Sequence, residues 1–379
     1  MTDWLDWPFF ERRHRELAER LEDWCKATIH DAHASDPDAA CRALVAEMGK
    51  AGFLKLCVAD GDKAPDVRSL AIARATLARV HGLADFAFAM QGLGSGAISL
   101  FGSEAQKALW LPKVAGGEAI AAYALTEPET GSDAANIAMR ATRDGDGWVL
   151  SGEKSYISNG TIADVLTVFA RTGSPQDGAR GISAFIVRAD DPGLTVAERI
   201  EVIAPHPLAR LKFDGVRAEL LGEEDGGFKI AMETLNLFRV TVGAAALGFA
   251  RRALDEALKF ATTRKLGDGV LADNAVTQDC LAKMATSIDA SALLIARAAW
   301  QQDMGVADNR RAAAMAKLHA TDEAQKVIDA AVQMHGGLGV TVGAKVEELY
   351  REIRALRIYE GASEVQRMII GRDVVKGAR

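Results

Sequence analysis

The sequence predicts an α+β fold in which an N-terminal all-α domain, a middle antiparallel β domain and a C-terminal helical domain follow one another. Three observations predict it. Apolar residues recur at three- and four-residue spacing from Trp7 to about Gly116. Short β-branched or aromatic runs separated by glycine and aspartate turns fill the middle. The helical period then returns around Gly222 to Gly227 and continues almost to the end of the chain. The boundaries fall at 1–116, 117–222 and 223–379.

Within the first domain, Leu17, Leu21 and Trp24 form one helical stripe, and Leu44, Val45 and Met48 another. Ser35-Asp36-Pro37 is read as an N-cap followed by an early helical proline, with Gly49 and Gly52 as the matching stop. Further helices are expected from Asp66 to His81 and from Asp85 to Phe101, and Leu111-Pro112 is expected to break the series. Gly92, Gly94 and Gly96 alternate inside a helical run rather than after a strand, which favours close helix packing over phosphate binding. In the middle domain the strand-like runs are Trp148–Leu150, Val165–Phe169 and Ile182–Val187, and Asp144-Gly145-Asp146-Gly147 is a hairpin turn. Little helix separates these strands, so an antiparallel sheet or barrel is expected rather than a Rossmann unit. Glycines interrupt the C-terminal helices at Gly267-Asp268-Gly269 and at Gly336-Gly337.

Composition narrows the functional classes. The chain has 379 residues, 49% of them hydrophobic and 26% charged, as in an ordinary globular protein. No uninterrupted apolar run reaches the roughly 18 to 20 residues of a membrane span. The opening Thr2-Asp3-Trp4-Leu5-Asp6-Trp7 lacks the basic start and apolar stretch of a secretory signal, so a cytoplasmic location without membrane insertion is expected. A formal net charge of -7 disfavours non-specific nucleic-acid binding. Cys25, Cys41, Cys57 and Cys280 lack paired spacing, so reduced thiols are expected and neither a disulfide framework nor a metal site.

Three motifs carry the chemistry. They are Leu125-Thr126-Glu127-Pro128-Glu129-Thr130-Gly131-Ser132-Asp133, then Gly152-Glu153-Lys154-Ser155-Tyr156-Ile157-Ser158-Asn159-Gly160, and then the pair formed by Gln333 to Gly339 and Leu356 to Glu364. In order and separation they resemble the acyl-CoA dehydrogenase family over essentially the whole chain. The resemblance implies that family's fold, with a middle β-barrel or sandwich and a C-terminal four-helix bundle. It also implies FAD as cofactor, an acyl-CoA substrate, an electron-transfer flavoprotein as partner, and a homo-oligomer, usually a tetramer.

Small and hydroxylated residues let donors approach a planar polar ring system, and the first two motifs supply them. The resemblance assigns Tyr123, Leu125, Thr126, Gly131 and Ser132, together with Tyr156, Ile157 and Ser158, to FAD, with the Thr126 and Ser158 hydroxyls beside the flavin ring. Tyr156 stands where the family usually has tryptophan, and Thr130 where alanine is common. From a neighbouring subunit, Arg264 would reach FAD phosphate, although Arg264-Lys265-Leu266-Gly267 is one residue shorter than the family pattern and lacks its phenylalanine. Asn274 occupies a usual glutamine position. Gln333, Gly336 and Gly337 match the segment that accepts the adenosine end of the partner's cofactor, while His335 between them is read as structural. Ala362, replacing a common threonine, and Glu364 complete the FAD set.

The resemblance makes Glu360 the base that removes the α-proton of the thioester while the β-hydrogen leaves as hydride. Burial raises a carboxyl toward the range useful for this transfer. Some relatives place the base just before the arginine of Leu235-Asn236-Leu237-Phe238-Arg239, but that position holds Phe238 here. Ser132, Asn236, Arg239, Tyr359, Gly361 and Arg372 occupy positions implied to meet the substrate. Residues Ala84 to Leu100, with Phe86, Phe88, Met90 and Gln91, are expected to include the acyl-pocket floor. The loop Ala204 to Leu208 differs from that expected in straight-chain enzymes. Two other readings stay open: an oxygen-using relative such as a flavin hydroxylase or nitroalkane oxidase, against which Glu360 argues, and a nucleic-acid-binding relative, which would need an additional basic C-terminal region.

Overall fold

Helices, sheet and helices follow in the expected order. Helices α1 (Arg12–Thr28), α2 (Pro37–Lys50), α3 (Val67–Val80), α4 (Gly82–Phe101) and α5 (Glu104–Gly116) come first. Strands β1 (Ala121–Ala124), β2 (Arg140–Asp144), β3 (Gly147–Ser158), β4 (Val165–Arg171), β5 (Ile182–Arg188), β6 (Leu194–Arg199) and β7 (Leu208–Leu221) follow. Then come α6 (Gly227–Thr263), the short strands β8 (Lys265–Leu266) and β9 (Gly269–Val270), α7 (Ala275–Asp303), α8 (Arg310–His335), α9 (Lys345–Leu356) and α10 (Ser363–Gly377). This computed structural model describes residues 3–29, 36–61 and 63–378. The chain divides into two compact units, one of Met1–Asp31, Val67–Asp85 and Arg239–Arg379, the other of Ala32–Asp66 and Phe86–Phe238.

The capping chemistry explains several boundaries. Asp36 accepts the N–H groups of Asp38 at 3.0 Å and Ala39 at 3.1 Å, and Pro37 opens α2, as expected; Ser35 lies outside the described residues. Gly52 takes a left-handed φ of 79° just past the end of α2. Gly49 does not stop the helix, because it lies inside α2, where an added Cβ would strike the Gly116 carbonyl. Pro112 likewise does not break the chain: α5 runs through it to Gly116. A Ser103–Gln106 capping box starts that helix, and Gln106, Trp110, Leu111 and Val114 bury one face, which outweighs the hydrogen bond that a proline forfeits.

In the second unit the middle strands close into a ring. β4 pairs with β5 and, through Arg140 and Arg171, with β2, while β2–β3, β3–β7 and β7–β5 complete the circuit. Most pairings are antiparallel, as hairpins dictate, and Asp144 and Gly147 face each other across the predicted turn. The β1–β4 and β2–β4 pairings run parallel, because neither pair is joined by a hairpin: β2 and β3 separate the first pair in the chain and β3 the second. β4 is buried along its whole length, so alternation in the strand separates two cores. Val165 and Phe169 join a cluster with Ile98, Trp110 and Ile230, whereas Leu166, Val168 and Ala170 join Trp148, Phe185 and Phe213.

The glycine seam of α4 lets this helix approach the sheet. An added Cβ at Gly94 would lie 2.7 Å from the Ala121 backbone, and at Gly92 2.7 Å from the Phe238 ring. Gln91 donates to Ala119 O at 2.8 Å and accepts from Ala121 N at 2.9 Å, and Thr167 Oγ1 donates to Gly94 O at 2.9 Å. Close packing is therefore the role of these glycines.

A buried ion pair ties the first two motifs together. Lys154 Nζ donates to Glu127 Oε1 and to Leu125 O, each at 2.9 Å. The Glu127 carboxylate also accepts Ala138 N at 2.6 Å and Met139 N at 3.0 Å, and Ser155 N donates to Thr126 O at 2.9 Å. Burial brings the Lys154 ammonium down to about 8, with Glu127 opposing the shift.

In the first unit, Arg68 pairs with Asp303 at 2.7 Å and Arg79 with Asp255 at 2.7 Å. The helix α6 is long and apolar enough to cross a membrane by composition, but its most apolar 18-residue stretch is 78% buried, the burial of a core helix.

Two stability predictions follow from these contacts. Gly94→Val should lower the free energy of unfolding by about 1–3 kcal/mol, read by urea denaturation, because the seam has no room for a side chain. Lys154→Met should cost about 3–5 kcal/mol by stranding the buried Glu127 carboxylate, and Lys154→Met with Glu127→Gln should recover part of that loss.

Candidate functional site

The second unit brings the two flavin-type motifs side by side through the Glu127–Lys154 pair. β3 departs from regular pairing with β7 between Lys154 and Ile157. Tyr156 sits in that irregularity with a φ of 56°, which turns its ring outward to 61% exposure, while Ile157 is buried. Thr126, Ser158 and Leu125 are half-buried, and Gly131 and Ser132 are exposed on the adjoining loop. No protein atom lies within 4 Å of where a side chain would begin at Gly131. An exposed aromatic plane beside the hydroxyl side chains of Thr126 and Ser158 and an unfilled glycine edge fit a flat, polar, ring-shaped cofactor such as FAD. Tyr123 is committed elsewhere, since its hydroxyl donates to Ala231 O at 3.2 Å and its ring packs on Phe169 at 5.0 Å. Phe86 packs on His206 with ring centroids 4.4 Å apart, so the α4 segment and the Ala204–Leu208 loop meet. Gln91, by contrast, commits its amide to β1 and its neighbourhood.

The first unit holds Glu360 in the loop between α9 and α10. Its φ of 52° is left-handed, a conformation that costs a non-glycine residue about 1–3 kcal/mol and persists only where surroundings enforce it. The surroundings are on α8. Lys317 Nζ donates to Tyr359 O at 2.7 Å and also to Gly361 O, the carbonyls on either side of Glu360. Gln366 Nε2 donates to Gly361 O at 2.8 Å. Asp322 accepts Arg357 Nε at 2.8 Å, Ser363 Oγ at 3.2 Å and Arg367 Nη2 at 3.2 Å. Gly361, with a φ of 89°, must be glycine because a Cβ would meet Gln366 Nε2 at 2.5 Å.

Glu360 is half-buried as a residue, yet its Oε2 is buried and takes no hydrogen bond among the described residues. Desolvation pushes its carboxyl above the ordinary carboxylate range, while Arg74, Lys317 and Arg239 pull it back. Arg74 is held by Asp85 through two contacts of 2.9 and 2.7 Å, and donates to Thr241 Oγ1 at 3.2 Å. Tyr359 lies against Arg74 and is raised by burial. The arrangement can hold a carboxylate that accepts a proton and then keeps it.

The remaining expected residues are placed as follows. Arg264 is exposed at the end of α6, where its carbonyl accepts Leu271 N at 2.8 Å across the β8–β9 turn. Asn274 caps α7 by accepting Val276 N at 2.8 Å. Gln333 is exposed in the last turn of α8, and Gly336 ends that helix at φ 58° and ψ -135°, a region open to glycine. Neither Gly336 nor Gly337 meets protein where a side chain would begin, which fits close approach of a ligand. His335 is structural as expected: Nδ1 lies 2.8 Å from Ala331 O, and its ring packs on Phe260 at 4.4 Å. Arg239 is buried and Asn236 half-buried on α6; Ala362 is the N-cap of α10, and Glu364 and Arg372 are exposed on it. Cys25, Cys41 and Cys57 are buried and Cys280 is half-buried, and no disulfide joins them among the described residues.

Sequence reasoning missed Arg74, Asp85, Lys317, Asp322 and Gln366. A signal was there, because Lys317 and Arg74 interrupt alanine-rich helical runs on their buried faces. A charge in such a place requires a partner.

Comparison with known proteins places this geometry in context. Residues 11–118 match the acyl-CoA dehydrogenase N-terminal domain, 122–216 the middle domain and 225–375 the C-terminal domain. A protein named probable acyl-CoA dehydrogenase FadE25 from Mycobacterium tuberculosis is 36% identical, covering 99% of this chain and 100% of that one. A 3-(aryl)acrylate reductase from Clostridium sporogenes is 33% identical, covering 97% and 100%. The structure of a glutaryl-CoA dehydrogenase from Mycobacterium smegmatis in complex with FADH2 superposes with a TM-score of 0.87 at 28% identity, covering 97% of this chain and 95% of that one. Three consecutive domain matches, with relatives aligned end to end, show that the chain belongs to the acyl-CoA dehydrogenase family and is an oxidoreductase of that kind.

Proposed function

We propose that this chain, as a homo-oligomer, converts an acyl-CoA thioester to the 2-enoyl-CoA with Glu360 as the base. The observation that carries the reading is the Glu360 carboxyl: enclosed, lacking a protein hydrogen-bond partner at Oε2, and raised above its ordinary range. A general base matched to neutral pH needs these properties. FAD, when bound, supplies the acceptor for the β-hydride. Thr126, Tyr156 and Ser158 would hold its ring, with Arg264, Gln333, Gly336 and Gly337 contributed by a neighbouring subunit.

Each step left to the chain's own residues is simple. Glu360 takes the α-proton on its carboxylate, and the cations Arg74, Lys317 and Arg239 keep that group ionised until it does. The left-handed backbone at Glu360 fixes the direction of the side chain, and the glycine at 361 allows the chain to turn tightly against Gln366 beside it. Asn236, Arg239 and Ser132 are proposed CoA contacts. Electrons leave to an electron-transfer flavoprotein, the partner that the family resemblance implies. The similarity to a 3-(aryl)acrylate reductase supports the same carbon–carbon chemistry run in the opposite direction as the second reading.

Purified holoenzyme mixed anaerobically with a panel of saturated acyl-CoAs tests the proposal. One of them should bleach the flavin band, and Glu360→Gln should slow that bleaching by about 10²–10⁴-fold. No bleaching by any acyl-CoA, or equal bleaching by the variant, would move the oxygen-using or reductase readings to first place. The pH dependence has a definite sign. Protonated Glu360 cannot accept a proton, so kcat/KM should be lost as pH falls through a midpoint lying above the ordinary 4.5 of a glutamate.

A further inference from the structure

We propose that Lys317 is the positioning residue for Glu360, holding the flanking carbonyls so that the carboxylate keeps its left-handed presentation, and setting by its charge the pH at which that carboxylate can act. This rests on the reading of Glu360 as the base.

Lys317 is a buried cation. It is 1% exposed on α8, and its hydrogen bonds run to main-chain oxygens of Tyr359 and Gly361 rather than to a carboxylate. Burying an ammonium is expensive, and a neutral donor could serve the loop at lower cost. The structure contains that neutral donor: Gln366 Nε2 reaches the same Gly361 oxygen at 2.8 Å. The neighbouring acid on α8, Asp322, is engaged by Arg357, Ser363 and Arg367. The positive charge of Lys317 therefore faces Glu360.

The groups around Glu360 come from several elements: Arg74 of α3, Asp85 of α4, Arg239 of α6, Lys317 of α8, and Tyr359 beside it in the chain. Arg74 is largely committed to Asp85, whose charge opposes its own. Lys317 differs from both arginines in being able to lose its charge near neutrality, since burial brings its ammonium down to about 8. Above that point the cation is gone, and the base loses one of the charges that favour its ionised form.

Three substitutions in the holoenzyme separate these effects. Lys317→Gln keeps a donor and removes the charge, Lys317→Arg keeps the charge at all working pH, and Glu360→Gln identifies the Glu360 band in isotope-edited infrared spectra. In Lys317→Gln the Glu360 carboxyl should titrate about one pH unit higher, with the acid limb of kcat/KM moving alongside it. Its kcat should fall about tenfold or more while KM changes by less than about threefold. In Lys317→Arg, which keeps the charge, the Glu360 titration and the acid limb should stay where they are in the wild type.

A folded Lys317→Gln in which Glu360 titrates where it does in the wild type would overturn the proposal. Should that variant not fold, a Lys317→Arg protein in which Glu360 titrates about one pH unit higher, as though the charge were gone, would overturn it instead. The infrared titration needs no turnover, so it decides the role of Lys317 even if the wild type oxidises no acyl-CoA, a result that would count against the dehydrogenase reading alone.

Discussion

An acid inside a protein can be reactive only if nothing else in the protein satisfies it, and the first unit is arranged around that constraint. Glu360 Oε2 is buried and meets no hydrogen-bond donor among the described residues, a state that folding ordinarily eliminates. Three cations nearby make the enclosed charge tolerable without any of them capping that oxygen. The loop is kept from relaxing by α8, whose Lys317 holds the main chain on both sides of the carboxylate while Asp322 anchors Arg357 and Ser363. Gly361 and the left-handed turn at Glu360 are consequences of this clamp, since the chain must reverse within two residues to present both carbonyls to one ammonium.

The second unit obeys a different constraint, that of offering polar edges without losing a core. The ring of β2, β3, β7, β5 and β4 supplies a rigid frame, with one cluster of apolar side chains centred on Phe185 and Phe213 and another against α4 and α5. The flavin-type motifs lie where this frame becomes irregular, at the break in β3 and on the loop after β1. Lys154 and Glu127 brace the segment between β1 and β2 by satisfying Leu125 O and the N–H groups of Ala138 and Met139. Fixed main-chain geometry beneath an outward-turned Tyr156 is the kind of support that a precisely placed cofactor needs.

Much of this was legible in the sequence, for identifiable reasons. Period-3.6 stripes gave the helices, and Asp144-Gly145-Asp146-Gly147 gave its hairpin, because these signals are local. The alternating glycines of α4 were readable as packing because no strand preceded them. Pro112 misled because burial of one face of α5 outweighs a missing hydrogen bond, a balance that depends on the rest of the fold. The parallel course of β1 beside β4 depends on topology and leaves no local trace. Of the site, Glu360 and the two flavin-type motifs could be named from family resemblance. The clamp could not, because Lys317 is forty-three positions away from Glu360 in sequence, by the difference of their numbers, and its partners are backbone carbonyls that carry no side-chain signature.

The central claim is that the Glu360 carboxylate removes the α-proton. Exchange of α-hydrogen for solvent deuterium, followed by NMR on an acyl-CoA held anaerobically with the enzyme and no electron acceptor, isolates that event from everything after it. The account predicts exchange in the wild type and its loss in Glu360→Gln at full cofactor content. Exchange at the same rate in both proteins would contradict it and would place the base elsewhere.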